Sequence, residues 1–334
     1  MLMKTAIWLM LVCVGAGAQK LPVLTVAAPG SVPAGQYTTV QDAVTAAPET
    51  GAVIRIRPGV YRETVHIDKP RIQLRGETTD PAKVVIVDDK GDPATCGTFC
   101  SPTMFVTGDE FFASELTIAN DLSKRGKPRT QGVALSITGD RAVLRDVRLL
   151  GAQDTLYAAS AKGAKVSRQY FDHCYIEGEV DFIFGNAKAV FHDCEIRSVT
   201  HAAGGYLTAQ SRNSAEEDSG YVFDHCRLTA EPGVEKVYLG RPWRDYATVT
   251  FLNTEMGPHI LPEGWSEWGK AGSKGGATDR LKTATYAEFG STGAGANATG
   301  REGFSKQLTA VEARGYVAKV YLRGADGWDA EKVR

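Results

Sequence analysis

Short apolar runs rich in β-branched residues follow one another along most of the chain, and glycine, asparagine, aspartate or proline breaks them. Typical runs are AVIRIRPGVY at 52–61, KVVIV at 83–87 and AVFHDCEI at 189–196. Runs of this length and composition predict β-strands. Helical segments of the length that βαβ units need do not lie between them, so the pattern predicts an all-β fold.

A weak repeat runs through these strands. In six segments an apolar position is followed by a polar residue and then by a short strand. We mark each segment by its fourth residue: Leu116, Val147, Cys174, Cys194, Cys226 and Thr254. Their irregular spacing of 20 to 32 residues predicts stacked rungs of a parallel β-helix, with chance recurrence as the alternative. A sandwich or barrel would show more paired hairpins. Stacked rungs would place the marked cysteines in one column about 4.8 Å apart, within disulfide reach.

Two segments have helical spacing instead. Residues 38–47 (TTVQDAVTAA) predict a short amphipathic helix that stops at Pro48. Residues 308–322 (LTAVEARGYVAKVYL) predict a helical tail that caps one end of the solenoid. No second domain is visible, so residues 19–334 are expected to form one domain.

The first residues have the pattern of an export signal. Lys4 precedes the apolar run TAIWLMLVCV at 5–14, which is too short to span a bilayer, and Ala16-Gly17-Ala18 fits a cleavage site. We expect a signal peptide at 1–18, cleavage near Ala18, and a secreted or periplasmic protein. Cys13 could mark a lipidation site, but the apolar run before it is too short. No later stretch has the roughly 18 apolar residues of a spanning helix, so no stable membrane association is expected.

Composition excludes two classes of protein. The formal net charge of -1 lacks the basic footprint of a nucleic-acid binder. A hydrophobic content of 43% with 23% charged residues excludes wholesale disorder. Five cysteines follow the signal, and export allows them to oxidise. Cys96 and Cys100 predict a local disulfide rather than a zinc site, because no histidine or second cysteine pair lies near them.

Polar residues stand inside apolar β segments in four motifs. These are QGVAL at 131–135, GAQDTLY at 151–157, GEVDFIFG at 178–185 and YLGRPW at 238–243. A single aspartate of this kind could simply bond to turn amides. Together, on parallel rungs, the motifs can bring two carboxamides, two carboxylates and a guanidinium onto one face. The GxSxG elbow of serine esterases and the HExxH zinc motif are both absent from the sequence. No metal or other cofactor is expected.

These motifs, in this order, resemble the pectin methylesterase family. The resemblance begins at 36–44 (QYTTVQDAV), passes through PEGW at 262–265, and ends at 284–289 (ATYAEF). It implies a right-handed parallel β-helix, no cofactor, and hydrolysis of galacturonate methyl esters in the polysaccharide pectin. The long segment at 157–168 is more typical of a bacterial, exported member, and we expect a monomer.

The resemblance also assigns roles to site residues. Asp181 would be the nucleophile, Asp154 the general acid and then base, and Arg241 the group that aims Asp181 and keeps it charged. The carboxamides of Gln131 and Gln153 would donate to the oxyanion. We expect a low pKa for Asp181 beside Arg241, and a higher one for Asp154.

Six residues are expected to bind the sugar chain: Tyr157, Val180, Phe184, Arg241, Trp243 and Trp268. For Trp265 and Trp268 a core position is an equal alternative. The resemblance further implies a Cys174–Cys194 disulfide, although spacing alone leaves Cys194–Cys226 open.

The sequence is also compatible with two other functions. A pectate lyase or polygalacturonase could use the same scaffold, because a fold alone does not set the reaction. A non-catalytic polysaccharide-binding β-helix is the second. A lyase or a glycosidase does not need the two glutamines, and the intact set of five polar residues argues against a non-catalytic protein. Methanol release from esterified pectin would distinguish the esterase from these alternatives.

Overall fold

The computed structural model describes residues 20–31, 33, 35–91, 97–125, 130–163, 166–199, 204–269 and 279–334. The predicted signal peptide and Cys96 lie outside these residues. In chain order the strands are β1 (Val23–Val26), β2 (Ala52–Ile56), β3 (Gly59–Arg62), β4 (Val65–Ile67), β5 (Ile72–Gly76), β6 (Val84–Asp88), β7 (Met104–Val106), β8 (Phe112–Ser114), β9 (Thr117–Asn120), β10 (Leu135–Ile137), β11 (Ala142–Arg145), β12 (Arg148–Leu150), β13 (Leu156–Ala158), β14 (Arg168–Asp172), β15 (Tyr175–Gly178), β16 (Val180–Gly185), β17 (Lys188–His192), β18 (Glu195–Ser198), β19 (Gly205–Gln210), β20 (Gly220–Asp224), β21 (Arg227–Ala230), β22 (Val237–Gly240), β23 (Thr248–Leu252), β24 (Glu255–Met256), β25 (Thr285–Phe289) and β26 (Lys306–Gln307).

The helices are short. The α-helices are α1 (Val40–Ala46), α2 (Ala310–Ala313) and α3 (Ala318–Tyr321). Single 3-10 turns lie at Pro81–Lys83, Gly97–Cys100, Leu122–Arg125, Arg280–Lys282, Ala298–Gly300, Arg314–Tyr316 and Ala330–Lys332. None of the helices in the described part of the chain has the length and apolarity needed to cross a membrane.

The strands form three parallel sheets, and each rung of the chain adds a strand to them in turn. The first sheet runs in the order β1-β2-β5-β8-β11-β14-β17-β20-β23-β25-β26, the second β3-β6-β9-β12-β15-β18-β21-β24, and the third β4-β7-β10-β13-β16-β19-β22. This confirms the predicted right-handed parallel β-helix. One continuous core fills the space between the sheets, including a ladder of Phe171, Phe191, Phe223 and Phe251 with ring centroids 4.6 to 4.7 Å apart.

The predicted repeat is the corner between the first and second sheets. The six marked residues come just before strand residues that pair with one another across rungs, such as Tyr175 with Glu195 and Glu195 with Arg227. The residue before each mark adopts a left-handed backbone, with φ between 48° and 58°: Glu115, Asp146, His173, Asp193, His225 and Asn253. Asp, Asn and His tolerate this conformation better than most side chains, which explains the polar position of the repeat.

The predicted Cys174–Cys194 disulfide is wrong. Cys174, Cys194 and Cys226 do occupy one buried column, but all three are free thiols. Each thiol donates to a main-chain carbonyl of the core wall, as Cys194 Sγ does to His192 O at 3.3 Å. Burial also raises the pKa of Cys174 and Cys194, so both stay protonated. Cys100 is disulfide-bonded, and its predicted partner Cys96 is outside the described residues.

Helix α1 covers the first rungs, as its sequence predicts for a short helix ending before Pro48. Its buried face, Val40, Ala43 and Val44, joins the main core. The side chain of Thr39 accepts from Asp42 N, and the carboxylate of Glu63 accepts from two further first-turn amides, each at 2.8 Å. These contacts satisfy main-chain donors that a helix start leaves open.

The C-terminal tail differs from the prediction. Its helical run is divided into α2 and α3, and it lies along the outer face of the first sheet instead of capping an end. Apolar residues of that face, including Val143, Tyr170 and Val190, pack against Ala318 and Leu322 of the tail. The first sheet is apolar on both faces, so the tail is needed to shield its outer face from water.

Candidate active site

Asp181 lies in a bulge of the third sheet. Val180 pairs with Tyr206 and Ile183 with Thr208, so β16 contains one more residue than β19 between these pairs. Asp181 has a left-handed backbone with φ of 51°, while its neighbour Phe182 is fully buried in the core. Bulges often re-aim a side chain beside an active site. Here the bulge lets Asp181 line an outer cavity in the middle of an apolar strand.

Arg241 holds the carboxylate of Asp181 from the rung two positions away. Its Nε donates to Asp181 Oδ1 at 2.9 Å and its Nη2 to Oδ2 at 2.6 Å. The guanidinium carbon lies 4.0 Å from the ring centre of Tyr206 and 4.5 Å from that of Trp268. Two aromatic faces thus fix the plane of the guanidinium. Sequence reasoning missed Tyr206, which belongs to none of the four motifs.

The prediction of a low pKa for Asp181 is wrong. Burial raises the pKa of this carboxyl above its usual value, and Arg241 opposes that rise only in part. Burial lowers the pKa of Arg241, but the hydrogen bond and charge of Asp181 raise it overall, so the guanidinium stays charged. The carboxylate is therefore poorly solvated and more basic than an exposed aspartate, yet it is paired with a fixed cation.

The other predicted polar residues come from neighbouring rungs at the start of third-sheet strands. Asp154 precedes β13, has φ of 65°, and donates its main-chain N–H to Val180 O at 3.1 Å. One rung earlier, Gly132 N donates to Gln153 O at 3.2 Å, next to Gln131. The Oε1 of Gln131 accepts from Thr130 Oγ1, which leaves its NH2 group as the end that can donate to a ligand. Main-chain bonds thus hold the three rungs in register.

One cavity of about 310 Å³ brings these side chains together. Its lining comprises Thr98, Phe99, Gln131, Gln153, Asp154, Asp181, Phe184, Ala209, Arg241, Trp243 and Trp268. The structure therefore joins all five predicted polar residues with three of the predicted aromatic ones. Val180 is placed differently, since it contributes a carbonyl that holds Asp154 and does not line the cavity.

Aromatic rings border the cavity on one side and continue beyond it to Tyr157, a predicted residue that does not line the cavity itself. Tyr157 lies 4.9 Å from Phe184, and Phe184 lies 5.9 Å from Trp243, measured between ring centres. Trp268 follows 6.5 Å from Trp243, whereas Trp265 is buried in the core. The sequence did not decide whether these two tryptophans line the cavity or belong to the core. The structure places Trp268 at the cavity and Trp265 in the core.

Phe99 is an aromatic residue that sequence reasoning did not select. It is 50% exposed, lies 5.2 Å from Tyr157, and stands in the 3-10 turn that ends at the disulfide-bonded Cys100. No periodic pattern marks this loop. Its position between Cys96 and Cys100, in a chain with an export signal, is the one sequence feature that could have indicated Phe99.

Fold and site together define a parallel β-helix in which two carboxylates, two carboxamides and a guanidinium line one cavity, a set of groups that suits attack on an ester carbonyl. The family model described as Pectinesterase matches residues 24–325. The chain belongs to the pectinesterase family.

Curated relatives of the chain come from plants and fungi. The chain is 34% identical over 317 residues to a pectinesterase of Daucus carota, covering 91% of this chain and 93% of that one. It is 36% identical over 318 residues to the Arabidopsis thaliana pectinesterase/pectinesterase inhibitor 3, covering 91% of this chain but only 50% of that protein. The chain thus spans about half the length of several curated relatives.

Solved structures match over almost the whole chain. The carrot pectin methylesterase has a TM-score of 0.82 and 33% identity, covering 94% of this chain and 97% of that chain. The pectin methylesterase PemA from Erwinia chrysanthemi has a TM-score of 0.76 and 30% identity, covering 92% and 98%.

Proposed function

We propose that this protein hydrolyses the methyl esters of galacturonate residues in pectin, giving pectate and methanol and so modifying or degrading plant cell wall. The observation that carries the proposal is the buried Asp181–Arg241 pair, which shares one cavity with Asp154, Gln131 and Gln153. Membership of the pectinesterase family supports the same reaction.

The reaction begins with Asp181. One of its oxygens bonds to the ester carbonyl carbon, and the carbonyl electron pair moves to oxygen, where Gln131 and Gln153 donate hydrogen bonds to the new charge. When the carbonyl re-forms, the bond to the methoxy oxygen breaks, and that oxygen takes the proton of Asp154. Methanol leaves, and an anhydride joins the substrate to Asp181.

Water completes the cycle. Asp154, now ionised, takes a proton from water as the water oxygen attacks the substrate carbonyl of the anhydride. Asp181 leaves as a carboxylate, Asp154 is protonated again, and the product leaves as the free carboxylic acid, which loses its proton to solvent to give galacturonate. Arg241 stabilises Asp181 each time it carries charge.

The aromatic border is suited to a sugar chain. Tyr157, Phe184, Trp243 and Trp268 offer flat apolar faces to the C–H faces of sugar rings, with Phe99 across from Tyr157. A pectin methylesterase solved in complex with a hexasaccharide has a TM-score of 0.77 and 30% identity to this chain, which supports a polysaccharide as the ligand.

We further propose that the protein is an exported, bacterial-type member. Residues 1–18 would be removed near Ala18, and residues 19–334 would act as one monomeric domain without stable membrane association, nucleic-acid partner or cofactor. N-terminal sequencing of the exported protein tests the cleavage site. Light scattering of the purified chain tests the monomer.

Methanol release by Asp181→Asn tests the reaction. We expect the variant to keep its fold and its affinity for pectin but to lose more than nine-tenths of kcat, because a lost nucleophile removes several kcal/mol of barrier lowering. Asp245→Asn is the matched control, since Asp245 is 64% exposed and pairs with Arg280 outside the cavity. Unsaturated products or chain cleavage by the wild type, without methanol, would instead identify a lyase or glycosidase.

A further inference from the structure

Histidine and aspartate side chains form a second polar group at the corner between the first and second sheets. The group arises from three stacked copies of the repeat, which read FDHC at 171–174, FHDC at 191–194 and FDHC at 223–226. In each copy the phenylalanine and the cysteine are buried in the core, and the two polar residues between them stand at the corner. The cavity described above lies on the third sheet, so these residues take no part in it.

We propose that His192, Asp224 and His225 form a binding site for a divalent transition-metal ion such as Zn²⁺. One ligand atom from each of the three lies within 4.8 Å of the others, and this is the only such group among the described residues. Asp224 pairs with His192 across the rungs β17 and β20. An ion held here would therefore join two neighbouring rungs.

The two imidazoles face one carboxylate from different sides. His225 Nδ1 lies 2.7 Å from Asp224 Oδ1, and His192 Nδ1 lies 3.5 Å from Asp224 Oδ2. The ring planes of the two histidines are inclined by 77°. Zinc–nitrogen bonds of about 2.0 to 2.1 Å give a tetrahedron with edges of about 3.4 Å. The side chain of His225 is 54% exposed, so it has space to rotate toward that spacing.

The chemistry of the donors favours zinc or a neighbouring metal over calcium or magnesium. Two neutral imidazoles and one carboxylate form a common zinc ligand set and leave a fourth position for water. Calcium and magnesium prefer oxygen ligands in larger number.

Other groups hold the ligands in place. The Nε2 of His192 lies 3.4 Å from Asp193 Oδ2, so that carboxylate can orient the ring from its far side, as outer carboxylates do for metal-binding histidines. Asn253 Nδ2 donates to Asp224 Oδ1 at 3.4 Å. The side chain of Asp224 is only 9% exposed, whereas that of His192 is 32% exposed, which leaves a path for the ion.

Calorimetric titration of the mature, untagged protein with ZnCl2, after treatment with a chelator, tests the site. We expect one Zn²⁺ per chain, and at least tenfold weaker binding in His192→Ala and in His225→Ala. The matched control is His173→Ala, because His173 stands at the same corner one rung away and lies outside the three-residue group. It should bind Zn²⁺ like the wild type.

Thermal melting provides a second readout that does not depend on activity. Excess Zn²⁺ should raise Tm of the wild type and of His173→Ala, but not of His192→Ala, because a ligand stabilises the state that binds it. Melting without metal shows whether each variant folds. The proposal is overturned if the wild type binds no stoichiometric Zn²⁺, if His192→Ala and His225→Ala bind it unchanged, or if His173→Ala loses it equally.

Discussion

Replacement of Arg241 by alanine should move the acid limb of the pH–rate profile upward and lower kcat. Asp181 acts as a nucleophile only when ionised, so activity is present above its pKa and disappears as pH falls through it. Burial already raises this pKa, and the paired Arg241 is the group that opposes the rise. Without the guanidinium, the pKa of Asp181 rises further and the loss of activity begins at higher pH.

The size of the shift follows from the geometry. An opposite charge at hydrogen-bond distance lowers a carboxyl pKa by roughly 1 to 3 units, or about 1.4 to 4 kcal/mol. Two hydrogen bonds of 2.9 and 2.6 Å to a carboxylate that is 8% exposed argue for the upper half of that range. The loss of orientation should lower kcat at the optimum by on the order of 10²-fold.

The assay is methanol release from esterified pectin across the acid limb, with kcat and KM determined at each pH. Arg241→Lys should recover part of kcat, because one ammonium supplies the charge but cannot reproduce the two parallel hydrogen bonds. Arg244→Ala is the matched control, since Arg244 stacks on Trp243 without bonding to Asp181. A higher KM for Arg241→Ala with unchanged kcat and acid-limb pKa would show that Arg241 only binds uronate carboxylates, and the reasoning would fail.

Three further predictions concern other parts of the molecule. The three buried cysteines should all react with a thiol reagent after unfolding without reductant, and finding any of them in a disulfide by peptide mapping would contradict the structure. Arg301→Met should lower the free energy of unfolding by about 3 to 5 kcal/mol in urea titration, because it leaves the buried carboxylate of Glu288 unpaired; a loss below about 1 kcal/mol would count against this. Phe99→Ala should raise KM for pectin and leave kcat nearly unchanged, so a fall in kcat alone would exclude it as a sugar-binding residue.

Local features were predictable from sequence because neighbouring residues decide them. The apolar spacing of residues 38–47 and the position of Pro48 predicted helix α1, which runs from Val40 to Ala46, although Glu63 from a later strand also accepts from its first-turn amides. The repeat correctly predicted stacked rungs, because each rung has at the same point one residue that accepts a left-handed backbone. The segment at 308–322 shows the limit of such reasoning. Its helical tendency is local, but the surface it covers depends on the apolar outer face of a sheet built from distant strands.

The cysteine column shows a second limit. Spacing placed Cys174, Cys194 and Cys226 one above another, as the structure has them. Whether adjacent thiols join depends on side-chain direction and on competing acceptors, and here each thiol points to a carbonyl of the core wall.

By itself, the sequence determined the type of fold and the identity of the five polar residues that share the cavity, because these follow from strand pattern and from motifs. Only the tertiary structure decided the environment of those residues. The bulge that turns Asp181 outward, the burial that raises its pKa, and the rings of Tyr206 and Trp268 around Arg241 come from rungs far apart in the chain. Dielectric surroundings and ring contacts depend on what packs around a group, and no local pattern encodes them.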